Sequence, residues 1–211
     1  MAGRNRTRYA LLGLLSWRAM SGYEIKRLVE VGLSHFWQES YGQLYPTLSR
    51  MEGEGAVRKR EAREGRKRDR FEYAVTAKGL RELRGWLGEE TGLAGVKNEL
   101  LLKVFVSGGG VGGESQKEAA GRTVEMIEGY RQREAERLEG YRASEGVLRA
   151  VVEGGEVPDA LRELGGDERG RLIGFLVTLR AGVLACEARV RWCDEAVEMY
   201  RGVAGALEDG D

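Results

Sequence analysis

The C-terminal part of the sequence contains an apolar repeat that restricts the fold more than any other feature of the chain. From residue 172 to residue 200 apolar side chains recur in alternating steps of four and three, without a break, over four heptads. This spacing puts them on one stripe of an α-helix, as in the a and d positions of a coiled coil. We therefore predict a helix over residues 167–200 with a stripe made of Leu172, Leu176, Leu179, Val183, Cys186, Val190, Cys193, Val197 and Tyr200.

Two partners can cover this stripe. A second long helix is predicted to begin at the capping box Ser115-Gln116-Lys117-Glu118 and to end near residue 152. Its apolar stripe (Val124, Ile127, Leu138, Tyr141 and Leu148) is interrupted by Arg131, Glu134 and Glu145. We expect the last helix to hold a homodimer, chiefly through the stripe from Leu172 to Val197. The alternative, that the stripe covers the 115–152 helix of the same chain, remains open.

The N-terminal part has a different organisation, in which short helices come first. A helix is predicted over residues 7–17, and the capping box Ser21-Gly22-Tyr23-Glu24 opens a second one. A similar pattern, Ser40-Tyr41-Gly42-Gln43, is predicted to open a third helix that buries Leu44, Leu48 and Met51. Pro46 lies inside this segment, so the helix either bends there or restarts with Pro46 in its first turn.

A β-hairpin and a further helix follow. One strand is predicted to begin at Ala56-Val57 and another to cover residues 70–75, with Gly65 at the turn. Thr76 is predicted to cap a helix whose inward residues are Leu80, Leu83, Trp86 and Leu87. Three helices followed by a hairpin form a winged helix-turn-helix, whose second motif helix enters the DNA major groove.

The predicted fold class is therefore mainly α. Residues 1–90 are expected to form a winged helix-turn-helix with a two-stranded wing. Residues 96–211 are expected to form a helical, coiled-coil-like domain for dimerisation and effector binding. It begins with a short apolar helix over residues 96–106, and the glycine-rich run at residues 107–113 forms a flexible joint.

The charge distribution points to a polyanionic partner. The net charge is zero, yet residues 1–84 contain 18 Lys and Arg against 10 Asp and Glu, and the remainder contains 16 against 24. A basic half on an acidic half is typical of a nucleic-acid-binding module on a separate scaffold. The alternative is a chance scatter of surface charge, which local clustering of the basic residues disfavours.

Three segments are candidate DNA contacts. The third helix has five polar residues beside its apolar stripe, namely Gln43, Tyr45, Thr47, Ser49 and Arg50. Their side chains suit base edges and phosphates. The alternative is an ordinary solvated helix face. Residues 57–75 contain eight Lys and Arg against four Asp and Glu, and the turn contains Arg66, Lys67 and Arg68. These can reach phosphates or a minor groove, unless the loop is merely solvated. The arm with Arg4, Arg6 and Arg8 is a weaker candidate.

The sequence shows no catalytic or metal-binding pattern. His35 is the sole histidine and is expected to be structural, and no nucleophile elbow or phosphate loop occurs. We therefore expect no enzyme activity, no metal and no cofactor. Two cysteines fit a reducing cytoplasm, and Cys186 and Cys193 lie about 10 Å apart along one helix, too far for a disulfide. No apolar run reaches the roughly 18 residues of a membrane span, so no membrane contact is expected.

Three stretches closely resemble the N-terminal domain of the PadR family: ALLGLLSWRAMSGYEIKR, HFWQESYGQLYPTLSRMEGEGAV and FEYAVTAKGLRELRGWL. They cover most of residues 9–87, and the SGYEIK and YGQLYPTL signatures are specific. The acidic half is similar in layout and length to the C-terminal domain of the phenolic-acid-responsive subgroup.

The resemblance implies a homodimeric cytoplasmic repressor, of a kind in which some members release DNA on binding an aromatic ligand. By the same resemblance the recognition residues are Tyr41, Gln43, Tyr45, Thr47 and Arg50, and the wing contacts are Arg66, Lys67 and Arg68. The effector site would involve Arg18, His35 and Trp37.

The leading hypothesis is thus a ligand-responsive, dimeric DNA-binding repressor. Its two-fold symmetry would require a palindromic operator in double-stranded DNA. The alternative is a protein-interaction module that uses the winged helix and the coiled coil, which the basic wing disfavours. An enzyme is the third class and has no catalytic constellation in its support.

Overall fold

The computed structural model describes residues 6–33, 36, 41–61, 71–91, 98–107, 114–163 and 169–208. The chain divides into two compact units, Met1–Gly92 with Glu156–Leu172, and Leu93–Gly155 with Ile173–Asp211. The predicted fold class is confirmed: a mainly helical chain with a two-stranded wing and long C-terminal helices. The predicted domains 1–90 and 96–211 stay a prediction, and residues 156–172 group with the first unit.

Short helices and one hairpin precede the two long helices along the chain. In order, the helices and strands are α1 (Arg6–Trp17), α2 (Gly22–Leu28), α3 (Leu44–Gly53), β1 (Val57–Glu61), β2 (Phe71–Val75), α4 (Ala77–Leu87), α5 (Glu99–Ser107), α6 (Gln116–Val152), α7 (Asp159–Glu163) and α8 (Arg169–Glu208). A π-helical turn, Val29–Leu33, follows α2, and a 3-10 turn, Tyr41–Gln43, precedes α3.

The first unit has an aliphatic core centred on α1. This helix buries Leu11, Leu12, Leu14 and Leu15. Each fully buried aliphatic side chain contributes about 1.5–3 kcal/mol relative to exposure. Neighbouring helices supply further buried residues, namely Ile25, Leu28, Leu44, Leu48, Met51 and Leu83.

Two predicted helix starts have different outcomes. The capping box at Ser21 is confirmed, because Ser21 Oγ accepts from the Glu24 amide and a Glu24 oxygen accepts from the Ser21 amide. The second box stays a prediction: a 3-10 turn begins at Tyr41 and leads into α3, which begins at Leu44 with Gln43 as its N-cap. Pro46 therefore lies in the first turn, where a residue without an amide hydrogen loses no helical bond. Ser40 lies outside the described residues.

The wing is an antiparallel hairpin, as predicted. Val57 pairs with Val75 and Arg60 with Glu72, so that β1 and β2 are joined over their full length. Met20 adds a further backbone connection, since its amide and carbonyl bond the carbonyl and amide of Tyr73 at 3.0 and 2.8 Å. The wing is thus attached to the α1–α2 connection. The turn, residues 62–70, lies outside the described residues.

The helix after the wing begins as predicted but has a narrower buried face. Thr76 Oγ1 accepts from the Gly79 amide and caps α4. Leu83 is buried, and Leu80 and Trp86 are half-buried, with the Trp86 ring stacked on Tyr9 at 4.6 Å. Leu87 is exposed, so its inward placement was wrong; it is the last residue of the helix.

The second unit is formed by α5, α6 and α8. The capping box at Ser115 is confirmed, and α6 ends at the predicted residue, Val152. The α8 stripe is buried within the single chain: one cluster joins Ile127 to Cys193 and Val197, and another joins Leu138 to Val183 and Cys186. The intramolecular alternative therefore holds for this part of the stripe, and α6 and α8 run antiparallel. Leu179 and Leu172 are also buried, and Leu172 belongs to the first unit.

The charged residues that interrupt the α6 stripe are paired with α8. Glu134, whose side chain is 3% exposed, lies 3.1 Å from the Arg189 guanidinium and 2.8 Å from that of Arg137. Glu145 lies 3.4 Å from Arg180. Arg131 pairs with Asp194, Arg142 with Glu187 and Glu128 with Arg201. These ion pairs together form a ladder along α6 and α8.

Candidate nucleic-acid interface

The solvent face of α3 and the turn before it contains most of the predicted recognition residues. Gln43, Tyr45, Ser49 and Arg50 are exposed, whereas Leu44, Leu48 and Met51 point into the core. Thr47 is 2% exposed and lies among these core residues. Its side chain is not accessible to a ligand, so the prediction that Thr47 contacts DNA was wrong.

Sequence reasoning missed Pro46 as part of this face. Pro46 is exposed between Tyr45 and Ser49 and adds an apolar surface to a polar face. Apolar groups at this position can contact the methyl group of thymine. The signal was present in the sequence, because Pro46 falls outside the spacing of Leu44, Leu48 and Met51. The Tyr41 side chain lies outside the described residues.

Tyr45 is held in place although it is 57% exposed. Its ring lies against Gly22 at the start of α2, where a Cβ atom would come within 2.6 Å of Tyr45 Cε1. A glycine at residue 22 therefore leaves room for the ring. Burial and the neighbouring Glu52 and Tyr45 raise the pKa of Tyr73, which lies in β2 beside this face.

The described part of the wing presents basic side chains. Arg58 and Lys59 are exposed on β1, and the Lys59 ammonium lies 4.2 Å from the centre of the Phe71 ring. Arg60 is paired with the buried Glu72 at 2.6 Å, so its charge is partly neutralised. The predicted wing contacts Arg66, Lys67 and Arg68 lie outside the described residues. Arg58 and Lys59 belong to the same basic run and were not singled out from the sequence.

Comparison with known proteins places this geometry in a family. The sequence profile of the transcriptional regulator PadR-like family matches residues 11–85, and that of the virulence activator alpha C-terminal region matches residues 96–201. The chain belongs to the PadR-like family of transcriptional regulators. This family consists of regulators and not of enzymes.

Individual relatives support the same placement. The negative transcriptional regulator PadR of Bacillus subtilis is 34% identical over 99 residues, which are 46% of this chain and 54% of that protein. The chain spans about half the length of the curated relatives it matches. Crystal structures of Bacillus subtilis PadR share the fold: the complex with operator DNA has a TM-score of 0.73 at 23% identity, covering 93% of this chain and 98% of the other. The complex with p-coumaric acid has a TM-score of 0.69 at 22% identity, covering 92% and 98%.

The N-terminal arm of this PadR-like chain is partly engaged within the fold. Arg8 donates from Nε and Nη2 to the two Glu82 oxygens, at 2.5 and 2.8 Å, and from Nη1 to Glu54. Its side chain is 14% exposed. Arg8 is therefore a half-buried ion-pair residue, and its contact with phosphate stays a prediction. Arg6 is exposed, and Arg4 lies outside the described residues.

Of the three residues that are predicted to bind an effector, the structure describes only Arg18. Its Nη1 lies 2.8 Å from Glu24 Oε1 and 3.3 Å from the Ala19 carbonyl oxygen. The other Glu24 oxygen caps α2, so a carboxylate ligand at Arg18 would compete with Glu24. His35 and Trp37 lie outside the described residues. Near Arg18, the Arg171 guanidinium lies over the Trp17 ring at 5.2 Å.

The cysteines are packing residues, as predicted. Both thiols are free and buried, Cys193 beside Ile127 and Cys186 beside Leu138. Burial raises the pKa of both thiols, and the neighbouring Glu134 adds to the effect at Cys186. Within the described ranges, no group of His, Cys, Asp and Glu is arranged to hold a metal ion, and no helix is long and apolar enough to cross a membrane.

Proposed function

We propose that this protein is a sequence-specific repressor that binds double-stranded DNA through α3 and the wing. The observation that carries the proposal is the exposed face of α3, where Gln43, Tyr45, Ser49 and Arg50 lie together beside the basic strand β1. The family is one of transcriptional regulators, and a structural neighbour with the same fold is a complex with operator DNA.

Each exposed side chain has a distinct role in this proposal. Gln43 suits the adenine edge and Arg50 the guanine edge or a phosphate, because each can form two parallel hydrogen bonds. The hydroxyl groups of Tyr45 and Ser49 suit phosphate oxygens. Arg58 and Lys59 supply positive charge along the wing. Tyr41 and the turn residues Arg66, Lys67 and Arg68 complete the proposed contact set.

The experiment is selection of an operator from a random duplex pool, followed by titration of that duplex and a scrambled one. Gln43→Ala or Arg50→Ala should cost roughly 1–3 kcal/mol at one operator position and relax the base preference there. Arg84→Ala, an exposed arginine of α4, is the matched control. Equal losses on both duplexes would make these residues backbone contacts. Wild-type protein that enriches no sequence would favour the alternative, a protein-interaction module.

A homodimer is part of the proposal, with a different surface from the one predicted. The part of the α8 stripe from Val183 to Val197 is covered by α6. In contrast, α5 exposes Leu101, Leu102, Phe105 and Val106, with Phe105 84% exposed. An apolar cluster of this kind is unusual on a monomer and is a typical subunit contact. On α8, Ile173, Val177 and Leu184 form a second exposed row. A two-fold dimer would require a palindrome with half-sites about 34–36 Å apart, or a multiple of that.

A small aromatic acid is the proposed effector, and it would release the DNA. The support is the complex of Bacillus subtilis PadR with p-coumaric acid, which shares the fold. Arg18, His35 and Trp37 are the proposed contacts. Titration of simple phenolic acids into the protein–operator complex tests this, with Trp37→Phe as the fluorescence control. Unchanged operator affinity at saturating acid would remove the sensor role. A cytoplasmic location follows from the same proposal, since bacterial DNA lies there.

A further inference from the structure

The C-terminal end of α3 is held by side chains from two other helices. The Arg8 guanidinium of α1 bridges the Glu82 carboxylate of α4 and the Glu54 carboxylate, and Glu54 is the C-cap of α3. Glu54 is also held by its backbone, because Lys78 Nζ donates to its carbonyl oxygen at 2.6 Å. Thr76 Oγ1 lies 2.8 Å from the carbonyl oxygen of Gly55.

The chemistry of this bridge requires an arginine. A planar guanidinium can present two parallel N–H groups to one carboxylate and a third to another, which an ammonium cannot do. The hydrogen bond to Arg8 holds the pKa of Glu82 below its ordinary value, and the two carboxylates raise the pKa of Arg8. Arg8 and Glu82 therefore remain charged near neutral pH.

The bridge acts at one end of the helix, and the exposed recognition residues extend to the other. With ten residues, α3 is about 15 Å long. A tilt of about 5° around its C-terminal end would therefore move the first turn by about 1.3 Å. Binding sites need their groups held to within about 0.5 Å of the productive geometry. A small loss of restraint at Glu54 therefore causes a large displacement of Gln43 and Tyr45.

We propose that Arg8 is a positioning residue for DNA recognition, which fixes the orientation of α3 through Glu54 without touching DNA. The proposal rests on the proposed DNA-binding function. It gives the Arg8 charge a role opposite to that of a phosphate contact, because removing it should change the choice of sequence and leave the general attraction to DNA intact.

The test uses the full chain, the duplex that the wild-type protein selects from a random pool, and a scrambled duplex of the same composition. Arg8→Gln and Glu54→Gln should each lower affinity for the selected duplex about tenfold. Affinity for the scrambled duplex and the slope of log affinity against log salt should stay unchanged. Because both residues act through one contact, the double variant should be no weaker than either single variant. Arg8→Lys should be intermediate, and Arg81→Gln, an exposed arginine beside Glu82, is the control.

Three results would overturn the proposal. An equal loss on both duplexes, with a salt slope reduced by about 0.9, would make Arg8 a phosphate contact. Unchanged affinity for the selected duplex in a folded variant would make the bridge purely structural. If Arg8→Gln does not fold, Glu54→Gln decides, since it leaves the Arg8–Glu82 pair intact. Wild-type protein that selects no duplex would overturn the proposed function as well, whereas selection with unaffected variants overturns this proposal alone.

Discussion

The Tyr45 ring occupies the space that a side chain at Gly22 would need. A Cβ atom on Gly22 would lie 2.6 Å from Tyr45 Cε1 and 2.7 Å from the hydroxyl oxygen, both inside van der Waals contact. The start of α2 and the first turn of α3 are therefore fitted to each other through one aromatic ring. This contact links the backbone of a buried glycine to the position of an exposed recognition residue.

Replacing Gly22 by alanine should consequently alter DNA recognition more than stability. We expect Gly22→Ala to displace the Tyr45 ring and to weaken operator binding by roughly 1–3 kcal/mol, the usual worth of one good contact. In a Tyr45→Ala background the same substitution should have little further effect, which a double-mutant cycle measures. Gly13→Ala is the control, because Gly13 lies in α1 with open space around its Cα. An equal loss in both backgrounds would show that Gly22 acts by another route.

Substitution of Gly79 should lower the stability of the fold for a different reason, because α4 packs closely against the wing at this residue. A Cβ atom there would lie 2.3 Å from the Ala56 carbonyl oxygen, which accepts a hydrogen bond from the Thr76 amide. Backbone cannot easily move aside, so Gly79→Ala should lower the free energy of unfolding by roughly 1–3 kcal/mol. Gly85→Ala, on the same helix with nothing nearby, should instead stabilise by up to about 1 kcal/mol. Urea denaturation of the two variants checks both signs.

The Glu134 cluster should make stability depend on pH. Burial disfavours the carboxylate, but hydrogen bonds from Cys186 and Arg189 and the charge of Arg137 outweigh it and hold the pKa of Glu134 below its ordinary value of 4.5. A carboxylate with a depressed folded-state pKa stabilises the fold above its unfolded pKa. This stabilisation is lost as pH falls through the folded-state pKa. We therefore expect the full stabilisation at pH 7 and a progressive loss of it below about pH 4.5.

Glu134→Gln should remove that pH dependence together with part of the stability. The expected loss at pH 7 is roughly 1–3 kcal/mol, because a nearly buried, charge-assisted set of hydrogen bonds is weakened. Below the folded-state pKa of Glu134 the difference from wild type should shrink. Thermal unfolding at several pH values measures this, with the exposed Glu139→Gln as control. A constant difference at every pH would mean that Glu134 does not titrate in this range.

The subunit contact can be separated from the interior of the second unit by two aspartate substitutions. Phe105→Asp places a charge in the exposed α5 cluster and should give a folded monomer, since Phe105 is largely outside the core. Leu179→Asp places an unpaired charge in the buried stripe and should unfold the helices instead. Light scattering and circular dichroism distinguish the two outcomes. Met199→Asp, an exposed apolar residue of α8, is the control for Phe105, and a Phe105→Asp dimer would place the interface elsewhere.

Features that depend on neighbouring residues in sequence were predictable. The capping boxes at Ser21 and Ser115 and the cap at Thr76 each close within three residues, so the sequence contains all their partners. The α8 stripe was equally visible, because helical periodicity alone defines it. What covers the stripe was not predictable, since an apolar seam carries no information on whether its partner belongs to the same chain.

Contacts between distant residues escaped prediction for the same physical reason. The ion pair of Arg8 was not predicted because Glu82 lies 74 residues away in sequence, and the pairing of Met20 with Tyr73 has no local signature. Thr47 is a separate case. It lies three residues after Leu44 and four before Met51, so helical spacing already places it on the buried stripe, and its hydroxyl misled the interpretation.

The ladder of ion pairs between α6 and α8 resolves an ambiguity that a heptad repeat leaves open. Apolar residues repeating every seven positions fit equally well if one helix slides by a heptad. Sliding α8 in either direction would replace Arg189 opposite Glu134 by Ala196 or Gly182, stranding a nearly buried carboxylate. One shift would also oppose Arg131 with Arg201, and the other Arg142 with Arg180. Hydrophobic burial thus brings the helices together, and charge selects one alignment among several that burial alone would accept.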